Sequence, residues 1–373
     1  MSDRKGLEAL RAELDLLDST LFEAVSARSR IVSKIADLKK SSGQAVFDRE
    51  RERVVVQRHL SQGVAAGLTR EESRMISKAV LASSHRLQAK QVSHSTTSRR
   101  FLLVGGKGGM GQFLRRELLE RGHAVEVVDK EESESLALAV AASDVVMICV
   151  PMSVAVEVAS EVAPLMRPDA LLCDINSLKL EICEAMGRLA PCEVLGLHPM
   201  FGPSVDSLLR QKVVVCDVRS GDLGTWLRQE LGRMGAELVE SDPLTHDRMM
   251  AVVQVLVHFN TLVTGEALRL SGASIEESLS FTSPIYRLEL AFIGRLFAQN
   301  PELYAEILMR NPVGNRMREN FLAAATTVNN AVEQGDRAEF VALFERAAEP
   351  FSKFGEEAMR ISDDLIARLV SQA

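Results

Sequence analysis

The stretch that decides the fold is FLLVGGKGGMGQFLRRELLERGHAVEVVD, residues 101–129. Its pattern predicts a buried strand, a glycine-rich turn, an amphipathic helix and a second strand. Glycines spaced GxGxxG let the backbone turn tightly and approach a pyrophosphate, and the following helix N-terminus faces the phosphate charge. We therefore predict a dinucleotide-binding turn, although a glycine-rich turn of some other α/β protein is the alternative. The residues of the turn are Gly106, Gly108, Gly109, Met110 and Gly111.

The second strand ends in Asp129, at about the distance from the glycines that a dinucleotide-binding unit requires. A carboxylate there would accept hydrogen bonds from the ribose hydroxyls and repel the additional phosphate of NADP. The sequence therefore favours NAD as the cofactor.

Further strand patterns follow in SDVVMICVP and DALLCDI, with helical patterns between them. Alternation at this spacing predicts a parallel, doubly wound sheet of Rossmann type over residues 99–243. From residue 244 to 373 only helical patterns remain, so we expect an all-helical C-terminal domain. Its predicted helical segments are 244–270, 274–298, 301–310 and 316–371.

Residues 1–92 predict an all-α N-terminal domain of three helices, followed by a polar linker over 93–98. The first helix carries apolar residues at three- and four-residue steps and ends before Gly43. The third helix begins at TREE, a capping box formed by Thr69 and Glu72. Three helices with so little connecting chain cannot bury their own apolar faces, so an intertwined homodimer is expected.

Composition excludes several classes of protein. The chain has 373 residues, 46% hydrophobic and 25% charged, which is typical of a soluble globular protein. No signal peptide or run of about 18 apolar residues is evident, so we expect a cytoplasmic protein that does not enter a membrane. Five cysteines without CxxC spacing predict reduced thiols and no metal site, and a catalytic cysteine is disfavoured.

Charge is distributed unevenly along the chain. Residues 1–98 carry 17 Lys and Arg against 12 Asp and Glu, whereas the whole chain has a net charge of −7. A basic first segment points to an anionic partner. Nucleic acid is disfavoured because no aromatic platform accompanies the basic residues.

His198 is the candidate general base for an oxidoreductase. It lies in LGLHPMFGP, after an apolar strand pattern and before a turn constrained by Pro and Gly. Such a turn would fix the imidazole in place. A structural or solvated histidine is the alternative.

Arg287 and Arg295 stand eight residues apart in an otherwise mostly apolar helical segment. That spacing places them on nearly one helix face, about 12 Å apart. An arginine on an apolar face needs a counter-charge. An internal carboxylate such as Glu289 and an acidic substrate are equally open as that counter-charge.

Three stretches, VGGKGGMG, GLHPMFGP and SPIYRLELAFIGRLFAQNPELYAEI, together resemble the bifunctional chorismate mutase–prephenate dehydrogenases of tyrosine biosynthesis. The resemblance covers essentially the whole chain. It implies rearrangement of chorismate to prephenate, then NAD-dependent oxidative decarboxylation to 4-hydroxyphenylpyruvate. It also implies feedback inhibition by tyrosine.

Carried over by position, the dehydrogenase would use His198 to accept the substrate's hydroxyl proton and Ser177 to bond the same hydroxyl. Arg295 would bind the ring carboxylate, and His246 with Asp247 would be structural support. For His258 a packed core position is an equal alternative. The remaining residues expected to bind substrate or tyrosine are Gln254, His258, Arg287 and Tyr304.

The resemblance also implies a mutase site, whose matching positions are Arg11, Arg28, Lys39, Asp48, Arg51, Glu52, Ser84 and Gln88. The rearrangement needs no acid or base, only a pocket that holds a compact dianion and stabilises charge on the ether oxygen. The arginines would bind carboxylates, Lys39 and Gln88 the ether oxygen, and Glu52 the hydroxyl.

Helix geometry sets a condition on that mutase site. Seventeen residues turn Arg11 about 100° away from Arg28, so Arg11 would have to come from a partner chain. The alternative for all these charges is a solvated helix face.

The chain departs from the family in two places: Lys107 replaces a usual glycine, and Asp129 a usual glutamate. Two rival functions stay open from the residues alone. An arogenate dehydrogenase would differ only in its substrate's amine. A non-catalytic nucleotide-sensing regulator would leave His198, Arg295 and Lys39 without a role.

Overall fold

A computed structural model describes residues 2–42, 49–91, 97–129 and 135–371. The chain divides into two compact units. The first contains the N-terminal helices and a β-sheet with its covering helices. The second contains the helices from Asp242 onward, together with the short segments Pro151–Ser153 and Ser177–Leu180.

Three helices begin the first unit, as the sequence predicts: α1 (Ser2–Ser42), α2 (Arg49–Ala65) and α3 (Arg70–Gln91). The capping box is confirmed, since the Thr69 N–H donates to Glu72 Oε2 over 2.7 Å and the Glu72 N–H to Thr69 Oγ1 over 3.1 Å. The C-terminal half of α1 buries Val32 and Ala36. Its N-terminal half exposes a leucine stripe, which consists of Leu7, Leu10, Leu14, Leu17 and Leu21.

A seven-stranded sheet, in the order β2-β1-β3-β4-β5-β6-β7, follows in the described part of this unit. Its strands are β1 (Arg100–Val104), β2 (Ala124–Val128), β3 (Val145–Ile148), β4 (Leu171–Asp174), β5 (Glu193–Pro199), β6 (Lys212–Arg219) and β7 (Glu237–Ser241).

The first five strands are parallel, but β6 pairs antiparallel with β5, and β7 then pairs parallel with β6. The parallel sheet that the sequence predicts is therefore confirmed for the first five strands, and the last two strands run in the opposite direction. The segment 200–211 that joins β5 to β6 contains no helix. Parallel pairing normally requires a crossover helix, so this segment returns the chain antiparallel.

Helices cover both faces of the sheet, and alternate residues of a strand point into the two different cores. Phe101 and Leu103 pack into a core with α4 (Gly109–Glu120) and α8 (Asp222–Arg233). Leu102 and Val104 pack into a second core with the remaining helices. Those are α5 (Leu136–Ala142), α6 (Met152–Val162) and α7 (Leu180–Leu189). The doubly wound α/β architecture is confirmed.

The second unit is helical throughout its described part. Its helices are α9 (Pro243–Met250), α10 (Val257–Ser271), α11 (Ile275–Ser280), α12 (Pro284–Phe297), α13 (Pro301–Arg310), α14 (Gly314–Glu333), α15 (Arg337–Ala348) and α16 (Gly355–Ser371). A π-helical turn, Ala251–Leu256, joins α9 to α10.

Two of the predicted helical segments are interrupted. The segment predicted over 274–298 divides before Pro284, where Ser283 Oγ accepts the Tyr286 N–H and begins α12. The segment predicted over 316–371 contains three helices. One break falls at Gly335, whose φ of +62° favours glycine, and Asp336 then caps α15.

One helical stretch, Pro243–Ser271, is long and apolar enough to cross a bilayer by length and composition alone. The expectation that no stretch is long and apolar enough to span a bilayer is therefore corrected. Helices of soluble proteins pass the same test, so this is weak evidence of membrane insertion. The stretch also contains His246 and Asp247, both buried inside the helical unit.

Candidate active sites

The glycine turn shows why its positions exclude side chains. A Cβ on Gly111 would lie 2.6 Å from the Cα and carbonyl oxygen of Gly106, so the first turn of α4 touches the loop backbone. A Cβ on Gly106 would lie 2.8 Å from Leu103 Cβ. The preceding Gly105 has a φ of +79°, which favours glycine. The turn thus depends on its glycines for tight packing of strand against helix.

The same turn leaves room in front of the helix. An added Cβ on Gly108 would approach only the Gly105 carbonyl oxygen, at 3.7 Å, and Gly109 lies close to Pro203. Gly108 caps α4 without a side-chain hydrogen bond, so the first N–H groups of that helix face an open cradle. A pyrophosphate fits this cradle.

Asp129 follows the end of β2 directly beside the turn. Its Oδ2 accepts a hydrogen bond from the Lys107 backbone N–H over 3.1 Å. Lys107, which departs from the usual glycine, therefore contacts the Asp129 carboxylate through its main chain. Lys107 and Asp129 are thus held together at the place where the ribose of a dinucleotide would lie.

Asp174, at the carboxyl end of β4, is a buried carboxylate that sequence reasoning missed. Its Oδ2 accepts the Asn176 N–H over 2.9 Å, and Asn176 Nδ2 donates to the Val150 carbonyl over 2.9 Å. Burial raises the pKa of the nearby Cys149 thiol, and the negative charges of Asp174 and Asp129 raise it further. This cysteine stays protonated, which argues against a catalytic thiol.

His198 is the penultimate residue of β5 and is buried, with Val214 opposite it on β6. Since β1, β4 and β5 run parallel, their carboxyl ends share one edge of the sheet. The glycine turn, Asp174 and His198 therefore lie along the edge where open α/β sheets bind their ligands.

Ser177 lies in the short segment Ser177–Leu180, within the helical unit. The Asp247 carboxylate on α9 fixes that segment, because it accepts the N–H groups of Lys179 over 2.8 Å and Leu180 over 3.0 Å. His246 Nδ1 lies 2.7 Å from the same carboxylate, and Asn311 Nδ2 donates to the Asp247 carbonyl over 2.8 Å. The histidine–aspartate pair thus holds the Ser177 segment in place.

His258 and Tyr304 meet on α10 and α13, with ring centroids 5.0 Å apart at an angle of 85°. Burial lowers the pKa of His258, which favours the neutral imidazole. Burial raises the pKa of Tyr304, and the positive charge of Arg295 opposes that rise. These three side chains therefore form one cluster, and Gln254 stands on the π-helical turn just before it.

Arg287 and Arg295 both lie on α12, as their spacing predicts, and are exposed. In the described part of the chain neither forms an ion pair, with Glu289 or any other carboxylate. The sequence left two counter-charges open, an internal carboxylate and an acidic substrate. Within the described residues, no internal carboxylate pairs with either arginine.

The N-terminal helices bring Arg28 and Ser84 together. Arg28 Nη1 donates to Ser84 Oγ, and to the Val80 carbonyl over 3.3 Å. Burial lowers the pKa of Arg28, and the charge of Arg58 lowers it further. Neither arginine forms an ion pair within the described ranges. Sequence reasoning did not identify Arg58. The only signal was its position on α2, one helical turn past other charged residues.

His59 belongs to the same group, with its Nδ1 2.9 Å from Ser77 Oγ. Burial lowers the pKa of His59, and the charges of Arg28 and Arg58 lower it further. Arg28 on α1 and Arg58 and His59 on α2 thus lie close enough to influence one another, and the two guanidinium charges attract an anion.

The other predicted mutase residues are more dispersed. Arg11 and Arg51 are exposed, and Glu52 is half-buried and ion-paired with Arg210. Asp48 lies outside the described residues, as do the side chains of Lys39 and Gln88. No cluster of three or more His, Cys, Asp or Glu side chains that could hold a metal occurs in the ranges described.

The fold and these sites define a two-part enzyme, in which a helical anion-binding domain is joined to a dinucleotide-dependent oxidoreductase. Family models match in the same order: type II chorismate mutase over residues 10–89, the nucleotide-binding domain of prephenate dehydrogenase over 114–229, and its dimerization domain over 242–346. The apolar stretch Pro243–Ser271 falls within that last match.

Two curated relatives are similar over nearly the whole chain. The T-protein of Haemophilus influenzae is 31% identical over 98% of this chain and 98% of its own length. The T-protein of Enterobacter agglomerans is 32% identical over 95% of this chain and 94% of its own length. The chain belongs to the T-protein family.

A solved structure supports the fold. Prephenate dehydrogenase from A. aeolicus, in complex with hydroxyphenyl propionate and NAD+, is 18% identical and covers 70% of this chain and 99% of its own, with a TM-score of 0.55. The predicted family, architecture and cofactor are confirmed. The chain is a bifunctional enzyme of tyrosine biosynthesis, a chorismate mutase and an NAD-dependent prephenate dehydrogenase.

Proposed function

We propose that the two reactions occur at separate sites, with Arg28 essential to the mutase and His198 to the dehydrogenase. The observation that carries this proposal is the separation of two kinds of chemistry. Arg28, which forms no ion pair within the described ranges, donates to Ser84 on the N-terminal helices and lies near a second arginine, Arg58. A buried histidine instead ends a strand at the nucleotide-binding edge of the sheet.

The mutase requires charge and shape only. Chorismate is a dianion, and Arg28 with Arg58 offers two cations that form no ion pair with a carboxylate among the described residues. Ser84 Oγ orients the Arg28 guanidinium. By resemblance, Glu52 binds the substrate hydroxyl, Asp48 and Arg51 complete the pocket, and Lys39 and Gln88 stabilise the ether oxygen as its bond breaks.

The dehydrogenase requires a base and a carboxylate anchor. When bound, NAD supplies the hydride acceptor. By resemblance, His198 accepts the proton of the substrate hydroxyl and Ser177 bonds the same hydroxyl. Asp247 holds the segment that carries Ser177. Arg295 binds the ring carboxylate that leaves as carbon dioxide, which produces the aromatic ring.

Exchanging single residues tests the separation. We expect His198→Asn to lower NADH formation from prephenate by about 10²- to 10⁴-fold while chorismate turnover is retained. Arg28→Ala should abolish chorismate turnover and leave the prephenate reaction intact. Loss of both activities in either variant, with circular dichroism unchanged, would contradict separate sites.

The functional form proposed here is a homodimer. The exposed leucine stripe of α1 and the match to a dimerization domain over 242–346 support it. Sedimentation velocity measures the mass directly, and a monomer at micromolar concentration would contradict it. A cytoplasmic location is part of the proposal, because five cysteines without CxxC spacing are typical of a protein from a reducing compartment.

Tyrosine inhibition is part of the same proposal. Tyrosine and prephenate share a six-membered ring and a three-carbon side chain, so His258, Tyr304 and Gln254 are proposed to bind either one. NADH formation measured at rising tyrosine concentrations tests this, and an unchanged rate at millimolar tyrosine would contradict it.

A further inference from the structure

An ion pair joins the mutase helix α2 to the sheet domain, and the catalytic scheme does not use it. Arg210 Nη2 lies 2.9 Å from Glu52 Oε1 and 2.7 Å from Glu52 Oε2. The two residues are 158 positions apart in sequence, and Glu52 is the residue proposed to bind the hydroxyl of chorismate. A single guanidinium therefore holds both oxygens of that carboxylate.

The backbone of Arg210 is unusual. Its φ is +60°, and no other non-glycine residue in the described ranges has a positive φ. The left-handed region is sterically unfavourable for an arginine, whereas glycine adopts it freely. An arginine at such a position suggests that its side chain is needed there.

The loop that carries Arg210 is firmly anchored to the nucleotide-binding half. The Arg210 N–H donates to the Gly235 carbonyl over 2.8 Å, and Leu208 is fully buried in the sheet core. Arg116 on α4 donates to the Asp206 carbonyl over 3.1 Å. The backbone of Arg210 is therefore held in place by the packed loop, while its side chain is 57% exposed.

The ion pair borders a cavity of about 520 Å³. Glu52 and Val56 on α2, Lys78 and Leu81 on α3, and Arg210 on the loop all line it. The cavity lies between α2, α3 and the loop residues 206–211, so the carboxylate that Arg210 binds faces a space large enough for a small molecule.

We propose that Arg210 is a positioning residue for the mutase, acting from the nucleotide-binding domain by orienting the Glu52 carboxylate toward the substrate hydroxyl. The inference rests on the proposed role of Glu52. A carboxylate held at both oxygens by one guanidinium keeps lone pairs for a further hydrogen bond. The mutase half then depends on the dehydrogenase half for the geometry of one of its own residues.

Substitution of Arg210 in the full-length chain tests this. Arg210→Gly relieves the backbone and removes the side chain, so thermal stability should be unchanged or higher. Mutase kcat/KM should nevertheless fall about 3- to 10-fold, mainly through a raised KM for chorismate, because a binding contact is loosened. Arg210→Lys should restore part of the loss, and prephenate oxidation should stay normal in both variants.

Two further variants separate the possible failures. Lys212→Gln, an exposed cation two residues on, should leave mutase kinetics unchanged. In a double variant with Glu52→Gln, Arg210→Gly should have no additional effect. A normal KM in Arg210→Gly beside a defective Glu52→Gln would overturn the role of Arg210 alone. Normal kinetics in Glu52→Gln would overturn the proposed role of Glu52 and, with it, that of Arg210. Fully additive losses in the double variant would mean that Arg210 does not act through Glu52, and would overturn its positioning role.

Discussion

Glu230 supports the sheet domain through a buried charge network that can be tested by pH. Its side chain is 0% exposed and lies 2.8 Å from Arg121 Nε, 2.9 Å from Arg233 Nη1 and 3.5 Å from His123 Nε2. Arg121 is itself only 4% exposed. The Arg99 N–H donates to His123 Nδ1 over 3.2 Å, so the imidazole proton is on Nε2, facing the carboxylate.

Burial alone would raise the pKa of Glu230, but hydrogen bonds from His123 and Arg121, and the charge of Arg121, lower it from 4.5 to about 2. A depressed pKa contributes stability that is present above pH 4.5 and is lost as pH falls toward 2. The shift corresponds to about 3 kcal/mol at neutral pH, of which about 2 kcal/mol is lost by pH 3.

Glu230→Gln removes this contribution and takes away the charge of the carboxylate that lies 2.8 Å from the buried Arg121 Nε. We expect it to lower the free energy of unfolding by about 3–5 kcal/mol at pH 7. At pH 3 the difference in free energy of unfolding between the variant and the original protein should be smaller by about 2 kcal/mol, because the contribution of Glu230 is by then partly lost. Other groups titrate alike in both proteins, so their contributions cancel. Glu240→Gln removes an exposed carboxylate that pairs with Arg228, and should change stability by less than about 0.5 kcal/mol.

Urea unfolding followed by tryptophan fluorescence measures these differences locally. Trp226 is the only tryptophan, and its ring centroid lies 5.5 Å from that of His123. Its emission therefore reports the unfolding of the domain that contains the network. A deficit of the same size at pH 7 and pH 3 would refute the electrostatic reasoning, and no deficit at pH 7 would refute the network's contribution altogether.

Two further substitutions test the dehydrogenase half. Gly111→Ala places a Cβ 2.6 Å from the Gly106 backbone, so calorimetry should show NAD affinity reduced at least about 10-fold. Gly232→Ala, whose Cβ meets nothing within 4 Å, should bind NAD normally. Asp247→Asn keeps one acceptor oxygen for two N–H groups, so prephenate kcat should fall about 10-fold. Asp336→Asn, which retains a good helix cap, should not change kcat.

Local features were predictable from the sequence because they depend on residues a few positions apart. The glycine turn and the Thr69–Glu72 capping box both formed as expected. The reversal of β6 and β7 was not predictable from their apolar patterns, since strand direction is set by the connection and the neighbouring strand. The helix breaks at Gly335 and Ser283 also had local sequence signals. The apolar periodicity continues across both positions, and it led to predicted helices that were too long.

The residues of the candidate sites were found through family resemblance more than through physical pattern. Arg28 and Ser84 are 56 positions apart, and only the packing of α1 on α3 brings them together. Arg58 joins them from α2 without any motif in its sequence neighbourhood. The contact of Arg210 with Glu52 has the same origin, because a charge pair across 158 residues leaves no local signal.

The two halves of the enzyme differ in how far a single chain completes them. The glycine turn, Asp129 and His198 all belong to one sheet that is packed on both faces within one unit. Arg11 instead lies on the same straight helix as Arg28, about 25 Å along its axis and turned about 100° away. A helix cannot fold back on itself, so Arg11 can serve a mutase pocket only on a second copy. The leucine stripe beside it is the surface that such a copy would cover.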